Sequence, residues 1–146
     1  MSKKYKIGYT TGVFDLFHVG HLNILRNAKS LCDYLIVGVS TDDVVLRNKG
    51  KAPVIPFEDR SDIISSIKYV DKVIKQTDYS ADAKIKAVID NGANVLFVGS
   101  DWKGTEKWNF IEKELKKNGC DVVYLPRTEK VSTSILRNGI KNFFDY

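Results

Sequence analysis

The sequence predicts an α/β protein with a doubly wound, mostly parallel sheet of five strands. Two short apolar runs, residues 35–39 and 95–99, have the length and composition of strands that are buried on both faces. Stretches of helical periodicity alternate with such runs, which is typical of repeated βαβ units. A length of 146 residues suits one domain, so residues 1–146 are expected to fold as a single unit.

The first βαβ unit is predicted over the first 43 residues. Residues 5–10 are β-prone and predict a strand, and residues 21–31 carry apolar side chains at helical spacing. Residues 35–39 then form the second strand. The turn between the first strand and the first helix contains Gly12 and Gly20, and α/β proteins commonly bind phosphate at such a turn.

Residues 47–56 are predicted to form a loop, because they contain a glycine, two prolines and three basic residues. This composition favours a solvated surface loop, which most such segments are. The alternative is a lid that carries Lys49 or Lys51 to a triphosphate.

Helices and strands are predicted to alternate from this loop to the end of the chain. The predicted elements are a helix from residue 57, a strand at 69–74, a helix at 81–90, a strand at 95–99, a helix at 107–117, a strand at 121–125 and a closing helix at 134–143. The apolar positions expected to face inward in the first two of these helices are Ile63, Ile64 and Ile67, followed by Ile85, Val88 and Ile89.

Composition restricts the class of protein. The formal net charge of +5 is spread along the chain, which fits a protein that handles small anions better than a nucleic-acid module with clustered basic residues. No apolar run approaches the ~20 residues of a spanning helix, and no signal peptide is visible. We therefore expect a cytoplasmic protein with no membrane or nucleic-acid partner. Cys32 and Cys120 lack metal-ligand spacing and are expected to be free, buried thiols.

Residues 10–21 are the strongest functional signal. His18 and His21 are the two histidines of the chain, and they lie on either side of Gly20 at the start of a predicted helix. Either histidine alone could be a capping or first-turn residue. Their pairing in a glycine-bearing turn favours donors to a phosphate, because helix N-termini carry partial positive charge.

Residues 12–21 resemble the GxFDxxHxGH signature of the cytidylyltransferase-like nucleotidyltransferases. These enzymes have a Rossmann-like fold of the HxGH type and transfer a nucleotidyl group from CTP or ATP to a phosphorylated acceptor. The resemblance implies that His18 and His21 contact the α- and β-phosphates. The residues in and just before this stretch that are expected to bind the nucleotide are Thr10, Thr11, Gly12, Val13, Phe14 and Gly20.

Residues 127–134 place three hydroxyl side chains before the closing helix. Ser132 or Thr133 could simply cap that helix, but the same donors also form an anion site, and Arg127 adds a guanidinium for phosphate oxygens. The stretch resembles the RTxGISTT signature of glycerol-3-phosphate cytidylyltransferases, with Lys130 in place of Gly and Ser134 in place of Thr. The resemblance implies that Arg127, Thr128, Ser132, Thr133 and Ser134 reach the nucleotide.

Three shorter segments extend this resemblance. Gly99, Asp101 and Trp102 resemble a GxDW element of the nucleotide site, residues 40–42 resemble an STD segment, and residues 69–71 resemble a YVD segment. Arg60 falls where the family has an arginine that faces the acceptor phosphate. The residues expected to bind the acceptor are Asp15, Asp42, Lys51, Arg60 and Asp71.

The resemblance implies transfer of CMP from CTP to sn-glycerol 3-phosphate, yielding CDP-glycerol and pyrophosphate for a teichoic acid or capsule polymer. His18, His21, Lys49 and Arg127 are expected to stabilise developing charge. Mg²⁺ is expected to arrive with the nucleotide rather than in a protein cage. The family is commonly homodimeric. The alternatives are another acceptor (ribitol 5-phosphate, phosphoethanolamine or phosphocholine), an adenylyltransferase of the same superfamily, and a nucleotide-binding domain without turnover.

Overall fold

The computed structural model describes residues 3–128 and 132–144, with the backbone alone at residues 143 and 144. The strands are β1 (Tyr5–Gly12), β2 (Cys32–Ser40), β3 (Lys72–Gln76), β4 (Val95–Gly99) and β5 (Asp121–Leu125). The helices are α1 (Val19–Leu31), α2 (Asp42–Lys49), α3 (Phe57–Ser65), α4 (Ala81–Asp90), α5 (Glu106–Lys117) and α6 (Thr133–Phe144), with a 3₁₀ turn at Ser100–Trp102.

All four strand pairings are parallel, and the order across the sheet is β3-β2-β1-β4-β5. The chain starts in the middle of the sheet, builds one half outward to β3 and then returns to the other side of β1. The strand order therefore reverses between β1 and β4. Ligands of open α/β sheets bind beyond the carboxyl ends of the strands at such a reversal.

Each face of the sheet is covered by helices, so the strands are buried on both sides as predicted. Alternate residues of β2 show this, because Leu35 and Val37 join one hydrophobic cluster and Ile36 joins the other. The first cluster includes Leu25 and Ala28 of α1 and Ile64 of α3, and the second includes Val88 of α4 and Trp108, Ile111 and Leu115 of α5.

Several predictions about elements are confirmed residue by residue. Helix α4 and strands β4 and β5 have the predicted bounds, and Cys32 and Cys120 are buried free thiols. No helix among residues 3–128 and 132–144 is long and apolar enough to cross a bilayer.

The predicted loop at residues 47–56 is wrong in its first part, because residues 47–49 form the last turn of α2. This helix begins with Asp42 and Asp43, which complement the helix dipole, and ends at Gly50 in the left-handed conformation (φ 75°). It buries only Val44 and Val45. Two adjacent valines produce no helical repeat, so the apolar pattern did not reveal the helix.

Strand β3 starts at Lys72 rather than at residue 69, because the N–H of Val70 donates to the backbone oxygen of Ile67 and so still belongs to the turn after α3. Two isoleucines predicted to face inward are also exposed, Ile63 by 40% and Ile89 by 43%. In each case the neighbouring residue, Ile64 or Val88, occupies the buried position. Adjacent residues of a helix lie about 100° apart, so both cannot point into the core.

Candidate active site

A cavity of about 730 Å³ opens at the carboxyl ends of the first four strands. Its walls include Thr10 and Thr11 from β1, Ser40 from β2, Gln76 from β3 and Gly99 from β4. Parallel strands end at one edge, which is why residues far apart in sequence meet here.

The first wall is the phosphate turn, residues 12–21, in which His18 caps α1. The Nδ1 atom of His18 accepts the N–H of Gly20 at 3.0 Å, and the N–H of His18 donates to Nδ1 of His21 at 3.2 Å. An imidazole nitrogen that accepts carries no proton, so both rings hold their proton on Nε2. The capping and phosphate-binding interpretations are therefore compatible, because the cap uses Nδ1 and leaves each Nε2–H as a donor.

Both imidazoles line the cavity and stack on each other, with ring centroids 3.8 Å apart. Burial lowers the pKa of His21 to about 4, assisted by the charge of His18 and opposed by that of Asp15. Burial also lowers the pKa of His18. Both histidines are thus neutral near pH 7 and offer hydrogen-bond donors without a formal charge.

The backbone of the phosphate turn is strained around Asp15, because Phe14 (φ 56°) and Leu16 (φ 49°) both adopt the left-handed conformation. Gly12 accommodates this turn, since a Cβ there would lie 2.8 Å from the Phe14 ring. Phe14 is buried and packs edge-on against His21, with centroids 5.5 Å apart. Phe14 therefore supports His21 from behind, and its side chain does not line the cavity.

The opposite wall combines the segments that follow β4 and β5. Asp101, Trp102, Arg127 and Thr128 line it, and Arg127 pairs with Asp101 across 3.0 Å. Thr128 accepts a hydrogen bond from Asn23 of α1 at 2.9 Å, which ties this wall to the phosphate turn.

The start of α6 completes this wall. Ser132 accepts the N–H of Ile135 at 3.1 Å and so provides the predicted cap, and Thr133 donates to the backbone oxygen of Asp15 at 2.8 Å. Both line the cavity, whereas Ser134 is exposed and does not line it. Lys130, which stands in place of the Gly of the signature, lies outside the described residues.

The structure separates the two candidate lysines. Lys49, at the end of α2, lines the cavity, and Lys51 does not. Desolvation of the Lys49 ammonium by the surrounding protein lowers the pKa of this side chain. The charge of Arg137 adds to the shift, and the charge of Asp15 opposes it. Lys49 is therefore the lysine of this segment that is placed to meet an anion.

Of the five residues predicted to bind the acceptor, the structure brings Arg60 and Asp42 into direct contact, and neither of them lines the cavity. Arg60 is fully buried and donates to the backbone oxygens of Val13, Ser40 and Ile55 at 2.7–2.8 Å. It also pairs with Asp42 at 2.6 Å. These bonds join the ends of β1 and β2 to the segment before α3. Arg60 therefore holds these segments together, and its side chain is not accessible to a ligand in this structure.

Asp15 and Asp71 are also held by partners within the protein. Asp15 is 2% exposed, and its carboxylate accepts the N–H groups of Val54 and Ile55 at 2.8 and 2.9 Å. Asp71 pairs with Lys29 and accepts the N–H of Leu35, which is near the amino end of β2 and thus far from the cavity. Lys51 and Asp42 likewise do not line it.

The sequence predictions missed a second cationic region of the cavity, which we call the lysine end. It consists of Lys84, Lys107, Ser40, Gln76 and Tyr79. The hydroxyl of Tyr79 donates to Ser40 at 2.8 Å, and Ser40 donates to Gln76 at 2.9 Å. These three uncharged side chains thus form one chain of hydrogen bonds.

Lys84 is the central cation of the lysine end. Burial lowers its pKa to about 8, and the charge of Lys107 adds to the shift. Its ammonium lies 3.4 Å from the hydroxyl of Thr11 and 5.7 Å from the Trp108 ring centroid. A sequence signal was present, because Lys84 occupies the apolar stripe of α4 with Ala81, Ile85 and Val88.

The family model for cytidylyltransferase-like proteins matches residues 9–139. This chain belongs to the cytidylyltransferase-like family. A glycerol-3-phosphate cytidylyltransferase of Bacillus subtilis is 41% identical over 131 residues, which are 90% of this chain and 94% of the relative. An FAD synthase of Thermococcus kodakarensis is 34% identical over 139 residues and covers 90% of each chain.

Among solved structures of similar fold is the lipopolysaccharide core biosynthesis protein of Thermoplasma volcanium. It is 30% identical to this cytidylyltransferase-like chain with a TM-score of 0.69, over 87% of this chain and 99% of the other. The resemblance of residues 12–21 to the signature of this family is thereby confirmed, as is the predicted doubly wound fold.

Proposed function

We propose that the protein transfers CMP from CTP to sn-glycerol 3-phosphate and releases CDP-glycerol and pyrophosphate. The observation that carries the proposal is a single cavity with two separate sets of cationic or N–H donors. The phosphate turn, Lys49 and Arg127 form one set, and the lysine end forms the other. Two anionic substrates can therefore be held side by side, and the similarity to glycerol-3-phosphate cytidylyltransferases supports the choice of substrates.

The reaction needs no strong base, because the acceptor phosphate is already an oxyanion near neutral pH. One of its oxygens attacks the α-phosphorus, the bond from that phosphorus to the bridging oxygen breaks, and pyrophosphate leaves with the electron pair. The Nε2–H groups of His18 and His21 would donate to phosphate oxygens in this step. Lys49 and Arg127 would offset the charge that grows toward the leaving group.

Mg²⁺ is proposed as the cofactor. The donors that line the cavity are mostly imidazole, ammonium, guanidinium and hydroxyl groups, and Asp101 adds one carboxylate. Within the described ranges, no group of three or more His, Cys, Asp or Glu could hold a metal ion. This donor set suits an ion held by the triphosphate itself, and such an ion would neutralise phosphate charge.

The lysine end supports a polyol phosphate as the acceptor. Lys84 and Lys107 would attract its phosphate, and the amide and hydroxyl groups of Gln76, Ser40 and Tyr79 would bond to its hydroxyls. A quaternary or primary ammonium on the acceptor would be repelled by these lysines. The resemblance further leads us to propose a cytoplasmic homodimer, without nucleic-acid or membrane partners, that supplies a cell-surface polymer.

The experiment is pyrophosphate release with Mg²⁺, in which CTP and ATP are crossed with glycerol 3-phosphate, ribitol 5-phosphate, phosphoethanolamine and phosphocholine. We expect turnover with CTP and glycerol 3-phosphate. Equal or better turnover with an ammonium-bearing acceptor would refute the role of the lysine end. Turnover with ATP alone would identify an adenylyltransferase, and CTP binding without turnover on any acceptor would identify a binding domain.

A further inference from the structure

The three uncharged residues of the lysine end are fixed in place by the elements that carry them. Ser40 and Gln76 are the last residues of β2 and β3 and lie opposite each other in the parallel pairing of these strands. Ser40 is completely buried, and Gln76 is 7% exposed. Tyr79 follows β3, and the ammonium of Lys107 in α5 donates to its backbone oxygen at 2.7 Å. The chain of hydrogen bonds that joins the three side chains is therefore anchored at each member.

The direction of this chain follows from the protons available to it. Oε1 of Gln76 is an amide oxygen and can only accept, so the hydroxyl of Ser40, 2.9 Å away, donates to it. A serine hydroxyl has one proton, so Ser40 can only accept from the hydroxyl of Tyr79 at 2.8 Å. Burial raises the pKa of Tyr79, so its hydroxyl keeps the proton that it donates. Both hydroxyl protons are thus used within the protein.

Tyr79 ends the chain with lone pairs and without a free proton. A phenol oxygen that donates its proton still accepts hydrogen bonds. Within residues 3–128 and 132–144, no group donates to this oxygen. Because Tyr79 lines the cavity, a ligand that hydrogen-bonds to its oxygen has to supply the proton.

From this arrangement we infer that Tyr79 is a specificity-determining residue whose hydroxyl oxygen accepts a hydrogen bond from an alcohol group of the acceptor. The inference rests on the proposed function and adds the polarity of one contact to it. An alcohol meets the requirement because its hydroxyl donates, whereas a fluorinated carbon or a methyl group cannot. Lys84 and Lys107 do not make this selection, because an ammonium group donates to any oxygen acceptor.

A structural role for Tyr79 makes a different prediction. If its hydroxyl only holds the segment after β3 to Ser40, the loss of that hydroxyl affects every acceptor equally, and separate losses multiply. If the hydroxyl contacts the acceptor, its loss matters only for acceptors that carry the matching alcohol group. The preference among acceptors, rather than the absolute rate, thus separates the two roles.

The test is a cycle of variant against substrate on the full chain, with Tyr79→Phe. The substrates are glycerol 3-phosphate and its two deoxy analogues, 2-hydroxypropyl phosphate and 3-hydroxypropyl phosphate, and the readout is kcat/KM for the acceptor at saturating CTP. We expect a loss of about 10-fold when either the phenol hydroxyl or the matching alcohol is removed. Removal of both should cost no more than about 3-fold beyond either single loss. Losses that multiply for both analogues would overturn the inference.

A fluoro analogue tests the polarity of the contact. Fluorine in place of the matching hydroxyl accepts a hydrogen bond but cannot donate one. In the wild type, the fluoro analogue should therefore be as poor an acceptor as the deoxy analogue, to within about 3-fold. A fluoro analogue that recovers most of the lost kcat/KM would show that Tyr79 donates to the acceptor, which would overturn the inference.

Two further variants guard the result. Tyr79→Leu also lacks the hydroxyl and completes the cycle if the phenylalanine variant does not fold. Tyr34→Phe is the matched control, because Tyr34 is 41% exposed and lies near the amino end of β2. Its loss of a hydroxyl should change neither kcat/KM nor the preference among acceptors.

The wild type separates this inference from the proposed function. A wild type that turns over no phospho-alcohol would overturn both. Turnover of glycerol 3-phosphate with multiplicative losses in the cycle would overturn the inference and leave the proposed function standing. If ribitol 5-phosphate is the better acceptor, the glycerol assignment fails and the cycle is measured with deoxy analogues of ribitol 5-phosphate.

Discussion

The phosphate turn and the lysine end lie at the same edge of the sheet, but they are built in opposite ways. The phosphate turn is one continuous segment, and its donors are oriented by backbone hydrogen bonds within that segment. The lysine end takes residues from β2, β3, α4, α5 and the segment before α4. Local chemistry therefore orients the groups at one site, whereas only the topology of the sheet assembles the other.

This difference has an electrostatic counterpart. The histidines of the phosphate turn are neutral donors because burial lowers their pKa values. Lys84 is a cation without a carboxylate bonded to it in the described part of the chain, and its pKa falls to about 8. We therefore expect changes in the phosphate turn to affect turnover most, and changes in the lysine end to affect acceptor affinity most.

The largest effect is expected from His18→Ala, which removes both a donor and the cap of α1. We expect kcat to fall by about 10²–10³-fold and the free energy of unfolding to fall by about 1 kcal/mol. Steady-state kinetics and denaturant unfolding measure the two losses. His18→Asn is the matched control, because asparagine is a good N-cap: stability should return while kcat stays low. Recovery of kcat with asparagine would contradict the role of the imidazole.

The next effect concerns the lysine end. Lys84→Met is expected to raise the KM for glycerol 3-phosphate by about 10-fold, the effect of one lost charge-assisted contact, while CTP affinity changes little. Lys86→Met, which removes an exposed charge from the same helix, is the control and should leave both constants unchanged. An equal loss of CTP affinity in Lys84→Met would show that the lysine end belongs to the nucleotide site.

An effect on stability, separate from catalysis, is expected as a function of pH. The pKa of His21 is about 4 in the folded protein, and its ordinary value is 6.5. Between pH 4 and pH 6.5, the imidazole therefore carries a proton in the unfolded chain but not in the folded protein. Stability from this group is thus complete above pH 6.5 and is lost as the pH falls toward 4, by roughly 3 kcal/mol. Denaturant unfolding across this window, compared with His21→Asn, isolates the contribution. Parallel curves for the two proteins would contradict the low pKa.

The smallest effect on catalysis is expected from Asp71→Asn, because Asp71 lies near the amino end of β2 and pairs with Lys29. We expect an unchanged KM for the acceptor and a loss of about 1 kcal/mol in stability. Kinetics alongside thermal unfolding would measure both. A large increase in the acceptor KM at unchanged stability would restore the acceptor role that the YVD resemblance implied.

The sequence by itself determined the fold class, most of the elements and the phosphate turn. These features depend on local patterns: apolar runs of strand length, helical periodicity, and glycines and histidines a few residues apart. The cap formed by His18 is of the same kind, since its partners are Gly20 and His21. That Arg127, Thr128, Ser132 and Thr133 lie together was also predicted from their closeness in the chain, and all four line the cavity.

Only the tertiary structure decided which charged side chains face the cavity. Arg60 and Asp15 were expected at the acceptor but are buried, because both use their hydrogen-bonding groups to join separate segments of the site. Lys84 was overlooked because a lysine on a helix is usually solvated, and its burial follows from the packing of α4 beside α5. Long-range packing sets burial and charge pairing, so local spacing in the sequence could not predict them.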